Sequence, residues 1–337
     1  MSGKSGIDFV ITWVDGSDPA WRAERARCAG EPATNFGGSD ARFRDWDLLR
    51  YWFRGVEKFA PWVDRIHFVT WGHLPPWLNT DNPKLHVVSH ADFIPEEYRP
   101  TFNSNAILLN LHRIPGLSEN FVLFNDDVFI LRPIDPGFFF QKGKPRDFVV
   151  LSTLPFKSNT ISLMVAQNLT VINDHFDFRA FVAGNWTKMI HWTLGVRNII
   201  RNLMMLFLFR RFFTGFKTRH SCQAYLRSSF EDVWRIEPAK LDATCRRRFR
   251  TPTDLSEWVM RYWQLAGGRF FAGNPNAYGC SHLKQEKLEL ALEIVREQKK
   301  FVECFNDNSK LEDFDGVRAR FEAEFARILP DKSTFEK

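Results

Sequence analysis

The sequence predicts an α/β fold: a mainly parallel sheet covered on both faces by helices, with a largely helical C-terminal half. Three observations carry this expectation. Short β-rich apolar runs alternate with helix-patterned segments through the first 130 residues. Several of these runs are apolar throughout rather than alternating, as strands buried on both faces require. Beyond residue 155 the strand patterns thin out and apolar spacing of 3–4 residues takes over.

Taken in order, Ile7-Asp8-Phe9-Val10-Ile11-Thr12-Trp13-Val14 reads as a buried strand, closed by the turn residues Asp15-Gly16-Ser17-Asp18-Pro19. Residues 22–40 are polar and Gly-rich and read as a mobile loop. From Arg42 to Phe59, the positions Trp46, Leu49, Phe53 and Val56 recur at helical spacing, and Pro61 ends the pattern. Ile66–Thr70 and Leu85–Val88 read as strands, Asn105–Arg113 as a helix ending before Pro115-Gly116. A fourth strand, Phe121–Phe124, runs directly into Asn125-Asp126-Asp127. In covered parallel sheets ligands collect at the carboxyl ends of strands. Asp15 and the Asp126-Asp127 pair both fall at such ends.

Composition narrows the function. At 44% hydrophobic and 26% charged, 337 residues can bury a substantial core. A net charge of +6 favours anionic partners, and the one local basic cluster is Arg246, Arg247, Arg248 and Arg250. No helix-turn-helix, zinc-finger or single-strand-binding signature accompanies the charge, so nucleic acid is not expected. The five cysteines contain no CxxC pair, which argues against a disulfide scaffold and a thiolate zinc site. The first six residues lack signal-peptide architecture, and a cytoplasmic setting is expected. Asn198–Lys217 holds an apolar core of seven to eight residues bracketed by Arg197, Arg201, Arg210, Arg211 and Lys217. It is too short to span a bilayer; it reads either as a peripheral contact with an anionic membrane or as a buried helix with a basic cap.

Adjacent carboxylates at Asp126-Asp127 suit a hard divalent cation that bridges diphosphate oxygens, although such a turn is also common as solvated loop. His220 can carry protons at neutral pH, and Arg250 offers forked donors matched to phosphate. Either could equally be structural on this evidence from composition and spacing alone.

Four separated blocks resemble the conserved regions of the Stealth family. They are IDFVITWVDGSDP (7–19), the stretch from 41–79 through 111–130, the region from His220 through SSFEDVW (228–234) to RFRTPTDL (248–255), and CFNDN (304–308). That family includes bacterial capsular and exopolysaccharide phosphotransferases and the animal lysosomal-enzyme N-acetylglucosamine-1-phosphotransferase. The resemblance implies a Rossmann-like, glycosyltransferase-A-related core. It implies transfer of a hexose-1-phosphate from a nucleotide-sugar, a UDP-sugar, to a hydroxyl of a capsular or exopolysaccharide acceptor, with release of nucleoside monophosphate. Carried over by position, Asp126 and Asp127 match the family's acidic pair and would hold Mg²⁺ or Mn²⁺. His220 and Arg250, 30 residues apart, match its essential histidine and arginine. Asp15 matches a position that contacts the nucleotide-sugar, with Gly16, Asn125, Asn306 and Asp307 as further donor-binding residues.

The chain is expected to divide into a nucleotide-sugar-binding core (1–155), a helical, basic-apolar insertion that offers a membrane contact (156–219) and a C-terminal part that completes the site (220–337). The expected setting is cytoplasmic, either free or peripheral at the inner face of the plasma membrane, and the sequence is compatible with an oligomer. Two positions depart from the pattern: Leu108 stands where relatives carry a glutamate, and Cys222 where bacterial relatives tend to have proline. Leu108 keeps a catalytically silent binding or scaffolding subunit of capsule assembly in play. An ordinary metal-dependent glycosyltransferase is the other alternative.

Overall fold

The computed structural model describes residues 6–29, 45–155, 161–307 and 311–337. Its central sheet contains β1 (Ile7–Thr12), β2 (Ile66–Thr70), β3 (Leu85–Ser89) and β4 (Asn120–Asn125). A short strand from the second half, Gln223–Leu226, completes it. With β5 (Val128–Ile130), β6 (Phe140–Gln141) and β7 (Lys144–Asp147) preceding it in the chain, this strand is β8, and the order is β3-β2-β1-β4-β8. The first four strands run parallel; β8 runs antiparallel to β4.

The fold is thus α/β, and the continuous apolar runs explain it. On β1, Phe9 and Ile11 point into one core with Trp52, Phe53, Phe68 and Phe124, while Val10 points into the other with Leu109, Phe121 and Tyr225. Each strand face therefore needs apolar side chains. Much of the aromatic content is spent here: the rings of Phe9 and Phe124 lie 4.8 Å apart and those of Trp52 and Phe124 5.5 Å. The one polar residue inside β1, Asp8, is buried and held through one oxygen: its Oδ2 accepts from Ser118 N at 2.8 Å and lies 3.1 Å from His67 Nε2, while its Oδ1 has no hydrogen-bond partner among the described residues.

A second sheet, of β5, β10 (Tyr278–His282) and β11 (Val302–Asn306), grows from the turn after β4. β11 lies antiparallel to β5, with Cys304 opposite Val128. The remaining strand, β9 (Phe271–Ala272), pairs with β7 in a small third sheet.

Several boundaries differ from the sequence expectation. Residues 22–29 are not loop; they belong to the helix Pro19–Ala29, and 30–40 lie outside the described residues. Asp18 Oδ1 accepts from Trp21 N at 2.7 Å, Pro19 opens the first turn, and buried Trp21 anchors an otherwise polar helix. The next helix starts only at Leu49, because Asp47 adopts φ 51° in the turn before it. The span 105–113 divides into the helix Ser104–Leu109, capped by Asn103, and a 3₁₀ turn over Leu111–Arg113. The basic-apolar segment forms the helix Val196–Leu208 and then leaves helical geometry.

Candidate active site

Register brings the two acidic turns to one edge. Thr12 of β1 lies opposite Asn125 of β4, so the chain leaves both strands at the same carboxyl end. On the other side of β4, Gln223 of β8 lies opposite Leu123, which delivers His220, three residues upstream, beside Asn125. β11 closes the turn from below: Phe305 N donates to Asp127 O at 2.8 Å.

Asp127 is the hub. Its Oδ2 lies 3.3 Å from His220 Nε2 and accepts from Cys304 Sγ at 3.3 Å. Asn125 Nδ2 is 3.3 Å from the same histidine nitrogen. Asp127 Oδ1 is buried with no hydrogen-bond partner in the described structure. A buried carboxylate oxygen without a donor is unfavourable unless something electropositive reaches it. The ligand atoms of Asp127, His220 and Cys304 all lie within 4.8 Å of one another, a grouping able to hold a metal ion. The neighbouring Asp126 opens onto the cleft, adding a second carboxylate.

The electrostatics follow from this crowding. Although Asp126 presents surface to water, the cleft walls around it, followed by the charges of Asp127 and Asp45, push its carboxyl up to about 7. A cation at the pair would remove that penalty. For His220, burial works against the charged form, but the hydrogen bond and charge of Asp127 prevail and raise its pKa. Glu257 is raised by burial, an effect eased by Arg250 and His220.

One cleft collects most of the expected residues: Asn125, Asp126, Asp127, His220, Arg250, Asn306 and Asp307 all line it. Asp307 Oδ2 accepts from Trp46 Nε1 at 3.3 Å. Asp15 and Gly16 do not line it. The Asp15 carboxylate accepts from Ser17 N at 2.8 Å and Ser17 Oγ at 2.6 Å, and Gly16 O accepts from Arg22 Nε at 2.7 Å. Both residues shape the turn at the cleft's edge.

Arg250 is held by a second structure. Its Nη2 donates to Ser104 Oγ at the start of the helix Ser104–Leu109. The loop carrying it is fixed by fully buried Asp254, which accepts from Thr251 N at 2.9 Å, Arg247 Nη1 at 2.8 Å and Asn103 Nδ2 at 2.9 Å. Leu108, one turn along the same helix from Ser104, lines the cleft while packing into the core with Val69 and Phe93.

Two carboxylates on the cleft wall were not expected from sequence. Asp45, in a short polar segment before a helix, resembles an ordinary helix start. Glu257, between Ser256 and Trp258, has no motif around it. Both reach the cleft through long-range packing. The arrangement offers paired carboxylates for a cation, a charged arginine for phosphate, and a histidine–aspartate pair for a proton.

Residues 6–31 and 42–147 match the models described as Stealth protein CR1, conserved region 1, and Stealth protein CR2, conserved region 2. The chain is 36% identical to the receptor polysaccharide phosphotransferase WefC of Streptococcus oralis, over 98% of this chain and 99% of that one. It is 34% identical to the capsular polysaccharide phosphotransferase WcwK of Streptococcus pneumoniae, over 100% of both. A crystal structure of the galactosyltransferase LgtC with donor and acceptor sugar analogues is similar at a TM-score of 0.42 and 9% identity, over 97% of this chain and 98% of that one.

Proposed function

Because this chain belongs to the Stealth family, we propose that it transfers a hexose-1-phosphate from a nucleotide-sugar to a hydroxyl of a capsular or exopolysaccharide. The observation that carries the reading is the convergence of Asp126, Asp127, His220 and Arg250 on one cleft, from three separate stretches of chain. In the reaction the acceptor oxygen bonds to the sugar-bearing phosphorus of the donor, a UDP-sugar. The diphosphate bridge breaks, nucleoside monophosphate leaves, and the acceptor's proton passes to the protein.

Charge accumulates on the phosphoryl oxygens, so the protein must pre-place positive charge around them. Arg250 supplies a fixed guanidinium, oriented by Ser104. Asp126 and Asp127 would hold Mg²⁺ or Mn²⁺, for which the unpartnered Asp127 Oδ1 is the supporting observation. Such an ion would neutralise diphosphate charge. His220, made more basic by Asp127, is the first choice to take the acceptor's proton, with Asp127 itself the alternative. Asn125, Asn306 and Asp307 contribute polar groups to the donor side of the cleft, with Asp15 and Gly16 shaping its edge. The division at 155 and 219 belongs to the same reading, as does a place at the inner face of the plasma membrane, which the five free thiols support.

Leu108 favours a second reading, a binding subunit without turnover, because an apolar side chain occupies a cleft position where the family resemblance implies a carboxylate. Incubating the protein with UDP-sugars and an oligosaccharide acceptor, then identifying the nucleotide by mass spectrometry, tests both. Transfer of sugar-1-phosphate releases UMP in a chelator-sensitive reaction. UDP release overturns it, and donor binding without turnover supports the silent subunit.

A further inference from the structure

The helix Val196–Leu208 is built inside out. Its buried positions include Asn198 and Asn202, and its outward stripe is Val196, Ile200, Leu203 and Phe207, at spacings of four, three and four residues. The asparagines are satisfied inside: Asn198 Nδ2 donates to Leu194 O at 2.7 Å. Asn202 Nδ2 donates to Val149 O at 2.8 Å and Met189 O at 2.7 Å, and its oxygen accepts from Leu151 N. The fold thus spends the polar face on its interior and leaves the apolar face to the outside. Val196 and Phe207 are each 72% exposed, and nearby Trp192 is 80% exposed. Of the thirteen large apolar side chains exposed among the described residues, ten fall between Trp186 and Phe212. Solitary exposed apolar residues need no explanation, but a contiguous patch of this kind marks a contact surface.

Charge identifies the occupant. From Phe178 to Phe230 the chain contains no Asp or Glu, while Arg179, Lys188, Arg197, Arg201, Arg210 and Arg211 stand on or around the patch. A second copy of the same face would bring these cations against one another. An apolar stripe whose own stretch of chain carries cations and no carboxylate complements a surface that offers hydrocarbon beneath anionic headgroups. The helix has 13 residues, and none among those described is long and apolar enough to cross a membrane.

We propose that this face docks the protein on an anionic lipid bilayer, with the helix Val196–Leu208 lying in the headgroup plane. The basic rim continues toward the catalytic cleft: Arg197 and Arg201 lie within electrostatic reach of Lys217, as does Arg219, which lines the cleft. Docking is independent of which group is transferred, and binding is read without activity.

The test is flotation of the full chain with phosphatidylcholine vesicles, with and without phosphatidylglycerol. The wild type floats with the anionic vesicles at low salt and is released at high salt. Arg210→Gln/Arg211→Gln weakens binding about fivefold for each cation removed, and Ile200→Ala/Phe207→Ala weakens it about tenfold or more. Both variants keep the wild-type unfolding temperature and full turnover on a soluble acceptor. Three results overturn the proposal: no flotation with anionic vesicles, equal and salt-insensitive flotation with neutral ones, or a solution dimer that Phe207→Ala dissociates.

Discussion

A single carboxylate, Asp127, makes two contacts through one oxygen, to a histidine it makes more basic and to a thiol that donates to it, and keeps its other oxygen buried without a hydrogen-bond partner. On the proposed reading Asp127→Asn keeps the shape but loses the charge, and turnover falls by about 100-fold or more, measured at saturating donor. On the same proposed reading Asp126 would set the pH dependence of metal binding. Its folded pKa of about 7 lies above the ordinary 3.8, so ionising it in the fold is unfavourable, and stability without metal falls as pH rises between those values. Mn²⁺ must displace the remaining proton below about 7 and finds the carboxylate already ionised above it. The increase in unfolding temperature on adding Mn²⁺ is therefore larger at alkaline than at acidic pH, which calorimetry with Asp126→Asn as control checks. At Leu108 the prediction runs the other way. Leu108→Glu adds a carboxylate to the cleft and raises turnover by about 10²–10⁴-fold if the acceptor lacks a base there. An unchanged rate with normal donor affinity assigns the base to His220 or Asp127.

At the scale of elements, the site depends on segments far apart in sequence being locked together. Asp254 ties the Arg250 loop to the helix Ser104–Leu109 through donors that have no other acceptor of comparable strength. Asp254→Ala leaves buried Asn103 without its acceptor, frees half-buried Arg247 and Thr251, and costs about 3 kcal/mol. The affinity for donor should fall as Arg250 loses its anchor, and denaturant melts with donor titrations measure the two effects. This coupling also explains what could be read from sequence. β1 and β4 were legible because each is a continuous apolar run ending in acidic turn residues. The helix Pro19–Ala29 was not, since Trp21 is its only buried residue and its signal lies in the cap at Asp18. Asp45 and Glu257 were not legible either: their place in the cleft comes from tertiary packing, which leaves no local periodicity. For Val196–Leu208 the apolar run and its arginines were plain. Which face turned inward was not, because it depends on carbonyls of Val149 and Met189 waiting for Asn202.

The molecule as a whole places a cleft lined by carboxylates, His220 and Arg250 at the carboxyl edge of a parallel sheet, and an apolar face with basic neighbours in the second half of the chain. The charge of +6 is unevenly distributed: the stretch from Phe178 to Phe230 contains no Asp or Glu and includes the exposed apolar helix, while five carboxylates line the cleft. The central claim is that the bond broken joins the donor's sugar-bearing phosphorus to the bridging oxygen of the diphosphate, not the one at the sugar carbon. The most direct measurement follows the donor's sugar-bearing phosphorus with a radioactive label. On this account the label enters the polysaccharide, in a product that resists phosphatase as a phosphodiester does, and leaves with no nucleotide. Recovery of the label in released nucleoside diphosphate, with an unlabelled polymer that has gained sugar, would contradict it.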